Sequence, residues 1–274
     1  MSGEHASRRP VRFFIASPLE RKNRAVHEGS SSAPPAAGSL ACLDAEDSHH
    51  AVRVLRLRVG DGCEIVQSDA PGRVWAATIE TMGPPVGVRL TRLMEESSGA
   101  VLRLALVQGL LVLSKVDEII DKGTQVGIDE FLMVQAEQSP VGAERKAAAR
   151  VERWERVARA AAKQSRQPAL PRITVVSSVT EAAQTLNGDG FLSLVLDPGA
   201  ERTLSGLLKE HEGTTLCGKR LALFVGPEGG WTEAERACLL NQGVEVVRLG
   251  RRILRAETAG IVAAAVVRSV CGDW

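Results

Sequence analysis

The segment LALFVGPEGGWTEAERACLLNQGVEVVRLGRRILRAETAG (Leu221–Gly260) carries one structural unit twice. It opens on an apolar run, Leu221–Val225, too short for a helix and rich enough in branched residues for a buried strand. The run stops at GPEGGW (Gly226–Trp231), where Gly226, Gly229 and Gly230 permit backbone angles and close approaches that side chains forbid. TEAE (Thr232–Glu235) reads as a capping box, with the Thr232 hydroxyl accepting from the Glu235 amide and the Glu235 carboxylate reaching back. A helix to about Gln242 is predicted, closed by Gly243, then a second buried strand over Val244–Leu249. Gly250 starts another loop, Gly250–Gly260, which runs into a helix apolar on every side. Two strand–loop–helix units thus present glycine-opened loops at one edge of one sheet. In an open α/β sheet, ligands bind at that edge.

Two stretches of this segment, FVGPEGGWTEAE (Phe224–Glu235) and LGRRILRAETA (Leu249–Ala259), resemble the signature segments of the bacterial ribosomal RNA small subunit methyltransferase E family. That family belongs to the SPOUT superfamily of knotted RNA methyltransferases. The resemblance implies an α/β protein: a PUA-like β-barrel RNA-binding domain over residues 1–97, then a trefoil-knotted SPOUT methyltransferase domain over 98–274. It implies S-adenosylmethionine as cofactor, a homodimer, and methylation of uridine N3 in 16S ribosomal RNA, within an assembled 30S particle. Alternatives are a SPOUT methyltransferase acting on another RNA, such as transfer RNA, and a non-catalytic RNA-binding ribosome assembly factor.

Composition is compatible with this and narrows the means. The chain has 274 residues, enough for two ordinary domains, each with its own core. Net charge is +1, so no global field draws in nucleic acid, and any basic surface is local. Tyrosine is absent and aromatics make up 3%, which disfavours modules that stack successive bases on rings. RNA contact by shape and phosphate is expected instead. The five cysteines show no metal-ligand spacing, so no metal is expected, and mostly buried, reduced thiols are. MSGEHASRRP (Met1–Pro10) has no apolar core of a signal peptide and no run approaches a membrane span, so a cytoplasmic protein is expected.

Along the chain, Arg12–Met94 reads as short strands with one small helix. Ser17-Pro18 should stop the first strand, and polar, low-complexity Glu28–Ser39 should be a mobile loop. The helix is expected over Asp47–Leu55 with Asp47 as its cap, and His49 and His50 as packing or capping groups at its start. HHAVRVLRLRVGD (His49–Asp61) resembles the family's PUA-like domain, and Arg53, Arg56 and Arg58 form either a phosphate-contacting patch or a solvated charged face. Glu95–Ala100 reads as the linker, and Leu102–Leu110 as the first strand beyond it. Ser114 is expected to cap a helix beginning at Lys115, which resembles the family's lysine-started helix but carries Gln125 where a carboxylate is usual. Glu144–Arg166 is predicted as one helix with Trp154, Ala158 and Ala162 on its apolar face. Arg145, Arg156, Arg159, Lys163 and Arg166 lie opposite, either on RNA or paired with Glu152 and Glu155. GTTLCGKR (Gly213–Arg220) nearly spells a phosphate loop, but Arg220 offers no hydroxyl for a metal and the segment leads into a strand.

A bound methyl donor presents an adenine, a sulfonium and an amino-acid tail, and glycine loops can reach these through backbone groups without bulk. The resemblance places Leu196, Phe224, Val225, Gly226, Gly229, Gly230, Leu249, Gly250, Ile253 and Leu254 around the cofactor. Leu249, Ile253 and Leu254 would supply apolar walls, with Asp197 and Pro198 as further candidates on a third loop. Uracil N3 is protonated at neutral pH, so a base or an anion-stabilising cation is needed. Arg255 is the expected anion stabiliser or phosphate clamp, Glu228 the expected base, and Arg252 an RNA contact. Glu257 is either a further carboxylate of the site or a cap of its helix.

Overall fold

The computed structural model describes residues 10–15, 36–68, 72–96, 102–210 and 219–271. The N-terminal nonapeptide, Ser17-Pro18, most of the low-complexity run, the end of the linker, Cys217 and most of the near-phosphate loop lie outside the described residues. The chain divides into two compact units, Met1–Ser98 and Gly99–Trp274.

In the first unit, strands β1 (Val11–Ile15), β2 (Leu40–Cys42), β3 (Gly62–Gln67), β4 (Arg73–Thr81) and β5 (Gly87–Glu96) form a sheet of order β1-β3-β4-β5-β2. β1 runs parallel to β3, and the other pairs are antiparallel. Phe13, Ile65, Trp75, Ile79, Val88 and Leu90 are buried in its core. Arg12 is buried too, held by Glu64, with Nε and Nη2 at 2.9 and 2.8 Å from Oε2. Helix α1 (Ala45–His49) starts earlier than expected, because Asp44 is the cap: its Oδ1 accepts from the Asp47 amide at 2.7 Å. Asp47 is a buried first-turn residue instead. From His50 to Val54 the helix widens into a π-helical turn, so His49 and His50 stand at its middle and not at its start.

The second unit is a wholly parallel sheet of order β11-β9-β10-β6-β7-β8: β6 (Arg103–Gly109), β7 (Glu130–Val134), β8 (Arg172–Val176), β9 (Phe191–Leu196), β10 (Arg220–Val225) and β11 (Glu245–Val247). Strands covered on both faces need continuous apolar runs, which is why Leu221–Val225 shows no alternation. One face packs on α2 (Leu113–Gln125), α4 (Val151–Ser165), α6 (Leu204–Glu210) and α8 (Ala256–Val270). The other packs on α5 (Val179–Gly188) and α7 (Glu233–Asn241). α7 begins with the expected reciprocal Thr232–Glu235 capping box.

Three local expectations are corrected. Ser114 does not cap α2, whose cap is Val112 with no side-chain bond; Ser114 lies inside the first turn. The predicted helix Glu144–Arg166 is two, α3 (Ala143–Ala148) and α4, broken at Ala149-Arg150, so Arg145 is on a different helix from Arg156. Among the described cysteines, expected to be mostly buried, only Cys63 is; Cys238 and Cys271 are half-buried and Cys42 is exposed. Arg268, in the last turn of α8, is buried. It donates to Leu102 O at 2.8 Å and Gly127 O at 3.0 Å and pairs with Asp129 Oδ2 at 2.7 Å. The last helix is thereby tied to the start of the sheet.

Candidate active-site cleft

The C-terminal ends of β9, β10 and β11 open into a cleft of about 700 Å³. Its floor is the turn after β10, where Gly230 N donates to Pro227 O at 2.9 Å. Two of the glycines are needed for different reasons. A Cβ on Gly226 would lie 3.0–3.1 Å from backbone atoms of Gly230 and Trp231, so the turn can fold on itself only there. Gly230 has open space around it but φ of +76°, which a branched residue resists. Gly109, at the end of β6, lets Pro227 approach, since a Cβ there would meet its ring at 2.5 Å. Gly229 points away from the cleft toward Gln138. The turn is braced from that side, where Glu235 Oε1 accepts from Glu137 N at 3.0 Å.

Leu196, Val225, Gly226, Gly230, Leu249, Gly250, Ile253 and Leu254 all line the cleft, as do Glu228, Arg252 and Arg255. Phe224 does not; its side chain is fully buried in the sheet face covered by α5 and α7. Its neighbours along β10 alternate faces, so Val225 and not Phe224 is turned toward the α8 side. Ile253 is 81% exposed, an apolar side chain standing over the cleft with nothing packed on it.

The charges fall into two sets. Arg236 Nη1 lies 2.8 Å from Asp197 Oδ2 on one wall, and the other oxygen of Asp197 accepts from Gly199 N at 2.7 Å. On the opposite wall Lys115 Nζ bonds Glu228 and lies 3.2 Å from Glu257 Oε1. Both contacts raise the affinity of Lys115 for its proton, so it stays cationic. Glu257 is held below the usual carboxylate range by its own amide at the start of α8, then by Lys115 and Arg255. Arg252 and Arg255, by contrast, make no side-chain hydrogen bond or ion pair among the described residues, and both are exposed.

Family comparisons agree with this architecture. A family model described as an RNA methyltransferase domain matches residues 98–268, and one described as an RNA methyltransferase PUA domain matches 43–84. The ribosomal RNA small subunit methyltransferase E of Mycobacterium bovis is 31% identical over 249 residues, covering 88% of this chain and 90% of that protein. The chain belongs to that family. Its Bacillus subtilis relative is 29% identical over 81% of this chain and 86% of its own length. Among solved structures, the family member from Neisseria gonorrhoeae, bound to S-adenosyl methionine, matches with a TM-score of 0.75 over 96% of this chain and 98% of that one. At 22% identity that likeness is one of fold: a SPOUT-type α/β domain with a PUA domain.

Within this family member, sequence reasoning undervalued Lys115, Asp197, Trp231 and Arg236, all of which line the cleft. Lys115 and Arg236 sit on helices that follow β6 and β10, and the parallel pairing of those strands places both helix starts at the same edge of the sheet. Of the expected RNA contacts, Arg53, Arg56 and Arg58 are exposed around the end of the π-helical turn, with Arg56 at φ 54°. Arg156, Arg159 and Lys163 lie on α4, and Arg166 closes it at φ 61°. Gln125 is engaged locally, bonding Asp121 at 3.1 Å and accepting from Gln167 at 3.2 Å through its carbonyl.

Proposed function

We propose that this protein transfers a methyl group from S-adenosylmethionine to N3 of a uridine in 16S ribosomal RNA. In this reading it acts as a cytoplasmic homodimer on an assembled 30S particle. The observation that carries the reading is the convergence of both glycine loops on one cleft beside unpaired arginines. The names of the relatives support the RNA class.

The residues present fit the cofactor. Gly226 lets the turn close on Gly230 and Trp231 at the edge of the cleft, and Leu196, Val225, Leu249, Ile253 and Leu254 offer apolar walls of the kind an adenine needs. S-adenosylmethionine supplies an electrophilic methyl group on sulfur. The chain must make uracil N3 nucleophilic. Arg255 precedes the first turn of α8, so its guanidinium and the positive end of the helix act together on a developing uracil anion. Arg252, on the same loop, can hold a flanking phosphate. Arg53, Arg56 and Arg58, with Arg156, Arg159, Lys163 and Arg166, serve as further phosphate contacts.

Single-turnover methyl transfer to 30S particles from a strain lacking the protein, followed by nucleoside mass mapping, tests the reading. One N3-methyluridine in 16S RNA is expected. Arg255→Ala should lower the rate at saturating particles by about a hundredfold, as loss of one anion-stabilising donor does. Charge removal at the outlying arginines should instead lower the salt slope of log affinity by roughly 0.7–0.9 per contact. Methylation only of transfer RNA, or binding with no transfer, would overturn the proposal.

A further inference from the structure

Lys115 stands where three elements meet: the first turn of α2, the GPEGGW turn after β10, and the first turn of α8. Its Nζ bonds Glu228 on the turn and lies 3.2 Å from Glu257 on α8. The lysine and Glu257 side chains are 28% and 13% exposed, whereas Glu228 is 61% exposed. A lone exposed pair contributes little, but a lysine shared by two carboxylates, one largely buried, fixes all three side chains. The two loops that wall the cleft have no other ion pair joining them among the described residues. Glu257 is held charged by its helix start and, through Oε1, by Lys115, while its Oε2 is buried without a hydrogen-bond partner among the described residues; the ammonium also engages Glu228.

Resting on the methyltransferase reading, we propose that Lys115 is a positioning residue that ties the two glycine loops together along one wall of the cleft, and that Glu228 is its ion-pair partner and not the base. The bridge sets how well the cleft accepts the cofactor; Arg255 stabilises the uracil anion, and the N3 proton passes to solvent water. Lys115 keeps its charge beyond its ordinary range at high pH, and Glu257 keeps its own below the usual range at low pH. Cofactor affinity should therefore be flat across neutral pH.

The test is calorimetric titration of the full-length protein with S-adenosylmethionine, without RNA, beside single-turnover transfer across a pH series. Lys115→Met should weaken cofactor affinity about tenfold or more, as loss of a charged hydrogen bond does, while thermal melting remains cooperative. Lys115→Arg should restore much of that affinity. Glu228→Gln, which keeps an acceptor oxygen for Lys115 but cannot take a proton, should leave the pH profile of the transfer step unaltered. A drop of 10² or more in that step for Glu228→Gln, with the acidic limb of the profile lost, would make Glu228 the base and overturn the assignment. Equal cofactor affinity of Lys115→Met and the natural protein would remove the bridge. Absence of cofactor binding by the natural protein would instead refute the methyltransferase reading itself. If Lys115→Met does not fold, Lys115→Arg and Glu228→Gln still decide between bridge and base.

Discussion

At the scale of residues, the two cleft glycines make opposite demands. Gly226 is excluded from change by contact and Gly230 by backbone angle. Gly226→Ala should already abolish cofactor binding, whereas Gly230→Asn should be tolerated better than Gly230→Val, because asparagine adopts the left-handed region more readily. Calorimetry on the three folded variants checks this order. Cys63 offers a second residue-level test. Burial, and then the neighbouring Glu64 charge, push its thiol up to about 12 from 9.0. The folded state therefore holds the proton where the unfolded chain loses it, so this group's contribution to stability falls as pH rises above 9.0. At pH 8 iodoacetamide should label exposed Cys42 quickly and Cys63 only after denaturation.

At the scale of elements, α2 and α4 are joined by one carboxylate. Asp117 accepts from Trp154 Nε1 at 2.8 Å and from Arg153 at 3.0 and 3.1 Å, and Arg150 lies at 3.4 Å. This explains where the predicted long helix breaks: turning at Ala149-Arg150 lets Arg150, Arg153 and Trp154 converge on α2. Asp117→Ala strands the buried indole N–H and should cost about 1–3 kcal/mol in denaturant unfolding. Asp117→Asn, which keeps an acceptor, should cost less. Arg150 and Arg153, which lie outside the expected RNA-facing set of Arg145, Arg156, Arg159, Lys163 and Arg166, are turned to structure.

At the scale of the molecule, α8 is covered on one side only. Gly260, Ala263, Ala264, Val267 and Arg268 are buried, and Gly260 is so close to Leu106 that a Cβ would sit at 2.9 Å. Val266 packs partly against its own core, while Val262 is 36% exposed and Ile261 and Ala265 are half-buried. The helix apolar all round in sequence is therefore left with an apolar stripe, the natural seat of the proposed second subunit. Val262→Asp should dissociate that dimer and leave the unit folded, whereas Val266→Asp should also lower the melting temperature. Sedimentation of both variants distinguishes the two, and a monomeric natural protein would remove the proposed dimer.

The sequence by itself determined the repeated strand–loop–helix unit, the capping box, the glycine loops and the apolar walls of the cleft. Each of these rests on local rules: backbone freedom, capping within four residues, and continuous apolar runs. The family resemblance, rather than those rules, named ten cofactor residues, and eight of them line the cleft. The tertiary structure decided what depends on distant partners. Whether Arg268 meets water or the carbonyls of Leu102 and Gly127 is set by strand order, 141 to 166 residues away in sequence. Phe224 and Val225 are alike in composition and part ways only because the sheet has two covered faces. Lys115 and Glu228, separated by 113 residues, become partners because β6 and β10 lie side by side. Charge pairing over such separations is a property of the packed chain, and no local pattern encodes it.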